Sequence, residues 1–219
     1  DRLPRVPGEL RRVEWRPEDA AADTAATVVR QLVKVDGRAP KPGDEPECMD
    51  PRSVSPEPLA MLLPSNQADY VFTLGRATRI DGRQAHVVNY RATTVAPPTF
   101  TWKDDCVTVD APGYSTGRVW ADAKSGEVLR IEERLRGRIQ VPVPSARRKV
   151  PLIASMEIER ADTTIRYKPV TFSDPEETLM LPASIDSVTV IRDAGVPRLR
   201  TTQVFSNYRR FVTDSRVVQ

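Results

Sequence analysis

Side chains that could perform catalysis are few in this 219-residue sequence. The single histidine, His86, lies in a predicted strand, and no neighbouring motif supplies the acid or nucleophile that a general base requires. The sequence contains no glycine-rich phosphate loop. The candidate serines lie outside any G-x-S-x-G turn of the hydrolase type: Ser115, Ser125 and Ser155. We therefore predict that the protein is not an enzyme.

Carboxylates that could bind a cation lie at Asp104-Asp105, at Asp110 and at Glu132-Glu133. Oxygen ligands of this kind suit Ca²⁺, but the spacing matches no calcium loop and lacks the glycine and the terminal glutamate of an EF-hand. One histidine is also too few for a His-rich zinc or copper site. We expect solvated charges here, with no metal and no cofactor.

The two cysteines, Cys48 and Cys106, both lie in polar segments rather than in an apolar strand. In a secreted protein two such cysteines are most simply a disulfide, and closing a loop this long would stabilise the fold by about 4 kcal/mol in the chain-entropy model. A lone surface thiol and a metal site are the alternatives. We predict the Cys48–Cys106 disulfide.

Lysine and arginine number 33 against 30 acidic residues, which gives a formal net charge of +3. This excess is too small to indicate nucleic acid as a partner. Six basic residues follow one another without an acidic one, around the stiff segment 141–144: Arg134, Arg136, Arg138, Arg147, Arg148 and Lys149. We interpret them as a basic loop between strands, either a solvated hairpin tip or a contact for anionic lipid headgroups or a partner protein.

The longest apolar run, 59–63, is far shorter than the roughly 20 residues of a membrane helix, so we predict no membrane-spanning segment. The first residue is Asp1 rather than methionine. Removal of a signal peptide would explain this, as would truncation during cloning.

The predicted elements are mostly strands. An edge strand is expected at 9–15, and a second strand, Thr27–Val35, ends at the turn dipeptide Asp36-Gly37. Six prolines within 39–58 exclude regular structure there. A serine N-cap at Ser55 then predicts one short apolar helix at 59–63, which Pro64 stops.

Turn signals punctuate the rest of the chain and predict an antiparallel meander, since no intervening stretch is long enough for a helical crossover. Each strand shows one apolar and one charged side; in 127–135, for example, Leu129 and Ile131 share a side. The predicted hairpins are 70–80 with 83–94 around Asp81-Gly82, 117–122 with 127–135 around Lys124-Ser125-Gly126, 152–158 with 163–172 around Ala161-Asp162, and 183–192 with 198–212 around Asp193-Ala194-Gly195.

Three ordered segments within 68–212 resemble one family. They are Gly117-Arg118-Val119-Trp120-Ala121-Asp122 followed by Ser125-Gly126-Glu127-Val128-Leu129-Arg130-Ile131-Glu132, then Tyr167 to Phe172 with Leu181-Pro182, then Phe205-Ser206-Asn207-Tyr208-Arg209-Arg210-Phe211. The succession resembles the LolA/LolB-like outer-membrane lipoprotein-sorting superfamily and related uncharacterised secreted bacterial proteins. The resemblance implies a strongly curved antiparallel sheet, a half-barrel, whose concave face lies under short helices and holds acyl chains. It also implies a periplasmic or otherwise exported location in the bacterial envelope.

Our expectation is therefore a mainly β protein of one domain over 1–219, a LolA-like half-barrel with the short helix and the Pro-rich loop, 39–64, as its lid. The family has several helices, whereas one is predicted here, so the Pro-rich loop is expected to take their place. The predicted function is non-enzymatic binding of a lipid, a lipoprotein acyl chain or another apolar ligand. The alternative is an envelope protein-interaction or structural module with a filled core. Residues expected to line the ligand site, or else to form core, are Tyr90, Trp120, Leu129, Ile131 and Phe205.

Overall fold

Antiparallel strands make up most of the described chain, as the sequence predicts. The computed structural model describes residues 9–16, 27–41, 60–62, 64, 66–103, 106–148, 154–173, 175–193 and 198–209. Three short 3₁₀ turns are the helical elements of these ranges: Ala60–Leu62, Gln67–Asp69 and Ser145–Arg147. The strands are β1 (Glu9–Arg16), β2 (Thr27–Val35), β3 (Tyr70–Leu74), β4 (Thr78–Ile80), β5 (Arg83–Ala92), β6 (Thr99–Lys103), β7 (Cys106–Asp110), β8 (Ser115–Asp122), β9 (Val128–Leu135), β10 (Ile139–Pro142), β11 (Ser155–Ser173), β12 (Glu176–Arg192) and β13 (Arg198–Val204).

The chain divides into two compact units, 1–58 with 101–108 and 59–100 with 109–219. In the first unit β1 pairs with β2 antiparallel. After β2 the predicted turn forms: Asp36 and Gly37 have φ of 47° and 81°, and Val35 and Arg38 exchange two backbone hydrogen bonds of 3.0 Å. Positive φ at both central residues is what a two-residue hairpin requires. The expected single domain over 1–219 stays a prediction.

The second unit contains a nine-stranded antiparallel sheet. Its order is β13-β12-β11-β9-β8-β5-β3, with β10 added beside β11 and β4 beside β5. The hairpin around Asp81-Gly82 forms between β4 and β5, with φ of 49° and 80° at those two residues. The hairpin of β8 and β9 forms around the predicted turn as well. β6 and β7 make a separate two-stranded sheet.

The predicted turn at Ala161-Asp162 is wrong. Both residues lie inside β11, a strand of 19 residues. Asp162 pairs with Arg134 of β9 on one side and with Val188 of β12 on the other. Ladder hydrogen bonds on both sides outweigh the weak turn preference of a single aspartate, and the chain reverses only after Ser173.

The predicted helix at 59–63 is described only as the three-residue turn Ala60–Leu62. A single turn gains too few hydrogen bonds to offset α-helix nucleation, and Pro64 stops extension. Most of the Pro-rich loop lies outside the described residues. No helix in the described ranges is long and apolar enough to cross a membrane.

Asp122 organises the turn between β8 and β9 and is 7% exposed. Its Oδ1 accepts hydrogen bonds from the backbone N–H of Lys124 at 2.8 Å and of Ser125 at 3.0 Å. Its Oδ2 accepts from Arg83 Nε at 2.7 Å, while Arg83 Nη2 also reaches Glu127 at 2.9 Å. The Ser125 and Lys124 N–H groups, with Arg83, lower the pKa of Asp122 to about 2.

We predict that Asp122→Asn lowers the melting temperature at pH 7, because the amide loses the ion pair with Arg83 and accepts the turn hydrogen bonds less strongly. The folded pKa lies below the unfolded value of roughly 3.9, so the stabilisation is complete above pH 4 and is lost as the pH falls toward about 2. Thermal melts of wild type and variant across this range should converge at the acid end. Asp110→Asn, at the exposed end of β7, is the control, and a gap that persists at pH 2 would contradict the prediction.

Candidate ligand-binding face

The central strands of the large sheet have buried apolar residues on both faces. Val88 pairs with Val119, and the preceding residue, Val87, pairs with Trp120. Because successive residues of a strand point to opposite sides, these two rows lie on opposite faces. We call them the Tyr90 face and the Trp120 face. The Tyr90 face has buried Met61, Tyr90, Val119 and Ile131 with half-buried Leu62, Tyr70, Phe72, Val88, Val128 and Tyr167; the Trp120 face has buried Ala85, Val87, Trp120 and Leu129 with half-buried Ile80 and Met180.

A β-bulge separates two residues that the sequence places together. Trp120 pairs with Arg130 but Ala121 pairs with Val128, so that Leu129 is the extra residue of β9. The bulge shifts the alternation along β9, and Leu129 packs with Trp120 while Ile131 packs with Tyr90. The prediction that Leu129 and Ile131 share a side is therefore wrong, because a strict period of two holds only in an unbulged strand.

The five predicted site residues accordingly do not form one surface. Tyr90 and Ile131 lie on the Tyr90 face, whereas Trp120 and Leu129 lie on the Trp120 face. Phe205 follows β13, is half-buried, and donates its backbone N–H to Ala183 O at 2.9 Å. It belongs to neither of the two clusters.

Trp120 is held by charged neighbours. The guanidinium groups of Arg118 and Arg130 each lie 5.1 Å from the centre of its ring. Glu132 joins both arginines: it accepts from Arg118 Nη2 at 2.6 Å and also from Arg130. Two cation–π contacts and a shared carboxylate account for Trp120 as a structural residue.

On the Tyr90 face a polar row crosses the centre of the sheet. Tyr90 pairs with Gly117, and Gly117 pairs with Glu133 of the next strand. The Tyr90 hydroxyl donates to Glu133 Oε2 at 3.0 Å. This bond spans β8 because Gly117 has no side chain in its way. Burial, together with the neighbouring Glu133, raises the pKa of Tyr90 above its ordinary value.

Glu133 also accepts a hydrogen bond from Ser115, and burial raises the pKa of its carboxyl. It forms no ion pair with any described residue. The buried carboxylate of Asp122 is paired with Arg83, and the half-buried Glu132 is paired with Arg118 and Arg130. Half-buried Glu133 differs from both, because no described residue offers it a cation.

The hydroxyl of Tyr167 is a second polar group on this face that lacks an expected partner among the described residues. Tyr167 lies on β11 and packs against the cluster of Met61, Tyr90, Val119 and Ile131. Its hydroxyl is buried and has no hydrogen-bond partner among the described residues. Burial raises the pKa of Tyr167 to about 12, so the hydroxyl stays protonated at neutral pH. Sequence patterning placed Tyr167 in a strand but carried no signal of this unbonded hydroxyl.

Aromatic rings extend the Tyr90 face toward the outer strand β3. Tyr70 meets Tyr90 edge to face, with ring centres 6.1 Å apart at 75°, and Phe72 lies 6.2 Å from Tyr70. Met61 of the 3₁₀ turn belongs to the cluster, and Leu62 packs against it. The result is an apolar cluster whose polar groups are the Glu133 carboxylate and the hydroxyls of its tyrosines and of Ser115.

The predicted basic loop contains a strand. β10 pairs with β11, and Ile139, Val141 and Val143 are buried. The predicted cluster is divided among elements: Arg134 of β9 lies 3.9 Å from Glu132, Arg138 pairs with Glu157 at 3.2 Å and Glu159 at 3.8 Å, and Arg148 donates to Val143 O at 3.1 Å. Arg136 is exposed, Arg147 lies in a 3₁₀ turn, and Lys149 lies outside the described residues.

The histidine and the cysteines lie on strands or outside the described residues. His86 is exposed on β5, and Cys106 is half-buried at the start of β7. Cys48 lies outside the described residues, so its pairing with Cys106 stays a prediction. Within the described ranges, no group of three or more His, Cys, Asp or Glu side chains is arranged to hold a metal ion.

Comparison with protein-family models, with curated proteins and with solved structures finds no match for this chain.

Gly117→Ala should destabilise the protein, because a Cβ at this position would lie 2.2 Å from Glu132 O and 2.5 Å from the Tyr90 hydroxyl. Backbone of β9 and a buried ring must both move, which for overpacking costs about 1–3 kcal/mol. Gly126→Ala is the comparison: its Cβ meets nothing, and only its φ of 75° opposes the change. Denaturant unfolding should show the larger loss for Gly117→Ala; equal losses would contradict the proposed packing of Tyr90 over β8.

Proposed function

We propose that this chain is a non-enzymatic domain of the bacterial envelope that binds a lipid, an acyl chain or another apolar ligand on the Tyr90 face. The observation that carries the proposal is the buried Tyr167 hydroxyl, which has no hydrogen-bond partner among the described residues and belongs to a side chain packed against the apolar cluster. An unbonded buried hydroxyl costs about 1–3 kcal/mol, and a ligand that bonds to it recovers this energy. The resemblance to lipoprotein-sorting proteins supports the same class of ligand.

The proposed ligand contacts differ from those expected from sequence. Tyr90, Ile131, Phe72 and Tyr167 would contact the ligand, because they share one face with the 3₁₀ turn. Trp120 and Leu129 would instead be structural residues that pack on the opposite face of the sheet. Phe205 is not needed for this binding surface.

The proposal assigns the lid role to the 3₁₀ turn Ala60–Leu62. Met61 is 5% exposed and contacts the cluster that an acyl chain would cover, so a bound chain would displace it. Each buried methylene of a ligand contributes roughly 0.8 kcal/mol, which offsets the loss of the Met61 contacts after a few carbons. A strongly curved half-barrel, with this turn and the Pro-rich loop as lid, is part of the same proposal.

Tyr167→Phe tests the proposal because two measurements should change in opposite directions. Removing an unbonded buried hydroxyl should raise the melting temperature, while the affinity for dodecanol should fall by roughly threefold to tenfold through loss of one hydrogen bond. Affinity is measured by displacement of the neutral fluorophore N-phenyl-1-naphthylamine. Tyr114→Phe, before β8, is the matched control.

Native mass spectrometry and lipid extraction of the purified protein give the independent test. Co-purified lipid or saturable uptake of the fluorophore supports ligand binding. No lipid and no uptake would overturn it.

A protein-interaction module with a filled core is the second candidate function. One observation favours it: β13 ends the sheet among the described strands, and its Leu199 and Val204 are 52% and 76% exposed. Such an edge can accept a strand from another protein. An interaction module would capture a stoichiometric partner from envelope extract while binding neither lipid nor fluorophore.

The envelope location predicts that Cys48 and Cys106 are bridged in protein from the oxidising periplasm. Alkylation without reductant should add no label, and alkylation after reduction should add two, as read by intact mass. Reduction should also lower the melting temperature, since the bridge restricts the unfolded chain. Two labelled thiols in the unreduced sample would contradict both the bridge and the exported location.

A further inference from the structure

The Tyr90 face contains a carboxylate, Glu133, that has no counter-ion among the described residues. Glu133 is half-buried, and its two protein hydrogen bonds come from neutral hydroxyls, those of Tyr90 and Ser115. Elsewhere on the sheet, arginines pair with carboxylates that are likewise half-buried: Arg138 with Glu157, Arg192 with Glu159 and Arg166 with Asp186. Buried charges are normally paired, so the exception on the candidate binding face is informative.

The arginines near Glu133 in sequence cannot supply the missing charge. Glu132 and Arg134 flank it, and alternation places their side chains on the Trp120 face, where Arg134 lies 3.9 Å from Glu132. Arg118, the neighbour of Gly117, is bound to Glu132 on that face as well. Among the described residues, the polar groups bonded to Glu133 on this face are therefore the hydroxyls of Tyr90 and Ser115.

None of the other described titratable groups on this face supplies a positive charge to Glu133. Tyr70, Tyr90 and Tyr167 are neutral phenols, and burial raises the pKa of each. Asp69, beside Tyr70, adds a further negative charge. His86 falls on the same face by alternation from Val88, but it is exposed and lies farther along β5 than Tyr90.

We propose that the ligand of the Tyr90 face is an amphipathic amine: an apolar body packs on Tyr90 and Ile131, and its ammonium head pairs with Glu133. This inference rests on the proposed function and specifies its ligand class. A carboxylate head would place a second negative charge beside Glu133 in a partly buried site, where like charges repel strongly. A fatty acid is therefore a poor ligand, and a neutral alcohol is intermediate.

The experiment compares dodecylamine, dodecanol and dodecanoate as competitors of N-phenyl-1-naphthylamine at pH 7, each below its micelle concentration. Dodecylamine should displace the fluorophore at a concentration about tenfold lower than dodecanoate does. The interaction free energy of one ion pair at contact distance is larger than this ratio requires. Glu133→Gln should abolish this difference between the amine and the carboxylate, because it removes the negative charge. Glu176→Gln, at the exposed start of β12, is the control and should behave as wild type.

The outcomes separate the two proposals. Equal affinity for the three competitors, or a preference for dodecanoate, overturns the amine assignment and leaves apolar binding standing. A preference for dodecylamine that persists in Glu133→Gln also overturns it, since the charge would then act elsewhere. Failure of the fluorophore to bind folded wild type overturns the proposed function itself. Melting curves of each variant confirm that the compared proteins are folded.

Discussion

Burial of the central strands on both faces is the constraint on which the rest of this sheet depends. Neighbouring residues of β8, Val119 and Trp120, each belong to a different buried cluster. In such a strand both alternating sets of residues supply buried side chains, so a shift of one position would exchange the two clusters. The bulge at Leu129 shifts the alternation of β9 by one residue. Leu129 therefore packs on the Trp120 face, while Ile131 packs beside Tyr90.

The residues that carry the family resemblance have structural explanations in this hairpin. Asp122 accepts the turn N–H groups, Trp120 lies between two arginines, and Gly117 leaves room for the Tyr90 ring. These roles follow from backbone geometry and packing, and they would be required in a β-hairpin of this shape whatever it binds. The motif thus indicates a local structure more directly than it indicates a ligand.

Packing and backbone geometry do not explain two polar groups of the Tyr90 face, the Tyr167 hydroxyl and the Glu133 carboxylate. An apolar residue at Tyr167 would fill the same space without an unbonded hydroxyl, and Glu133 would be less costly with a cation beside it. Both lie where a ligand would meet the sheet. An apolar face with one unbonded hydroxyl and one carboxylate that no described cation pairs suits the proposed ligand, which has an apolar body and a polar head.

The sequence by itself determined the strand content, the antiparallel pairing and the tight turns, because alternation and positive-φ dipeptides such as Asp36-Gly37 and Asp81-Gly82 are local properties. It could not exclude the false turn at Ala161-Asp162, since only the ladders with β9 and β12 hold that segment extended. It also could not divide Tyr90 and Ile131 from Trp120 and Leu129. The register of β5 against β8 separates Tyr90 from Trp120, and one bulged residue of β9 separates Leu129 from Ile131. Register and bulge are set by how two strands meet rather than by the pattern along either of them.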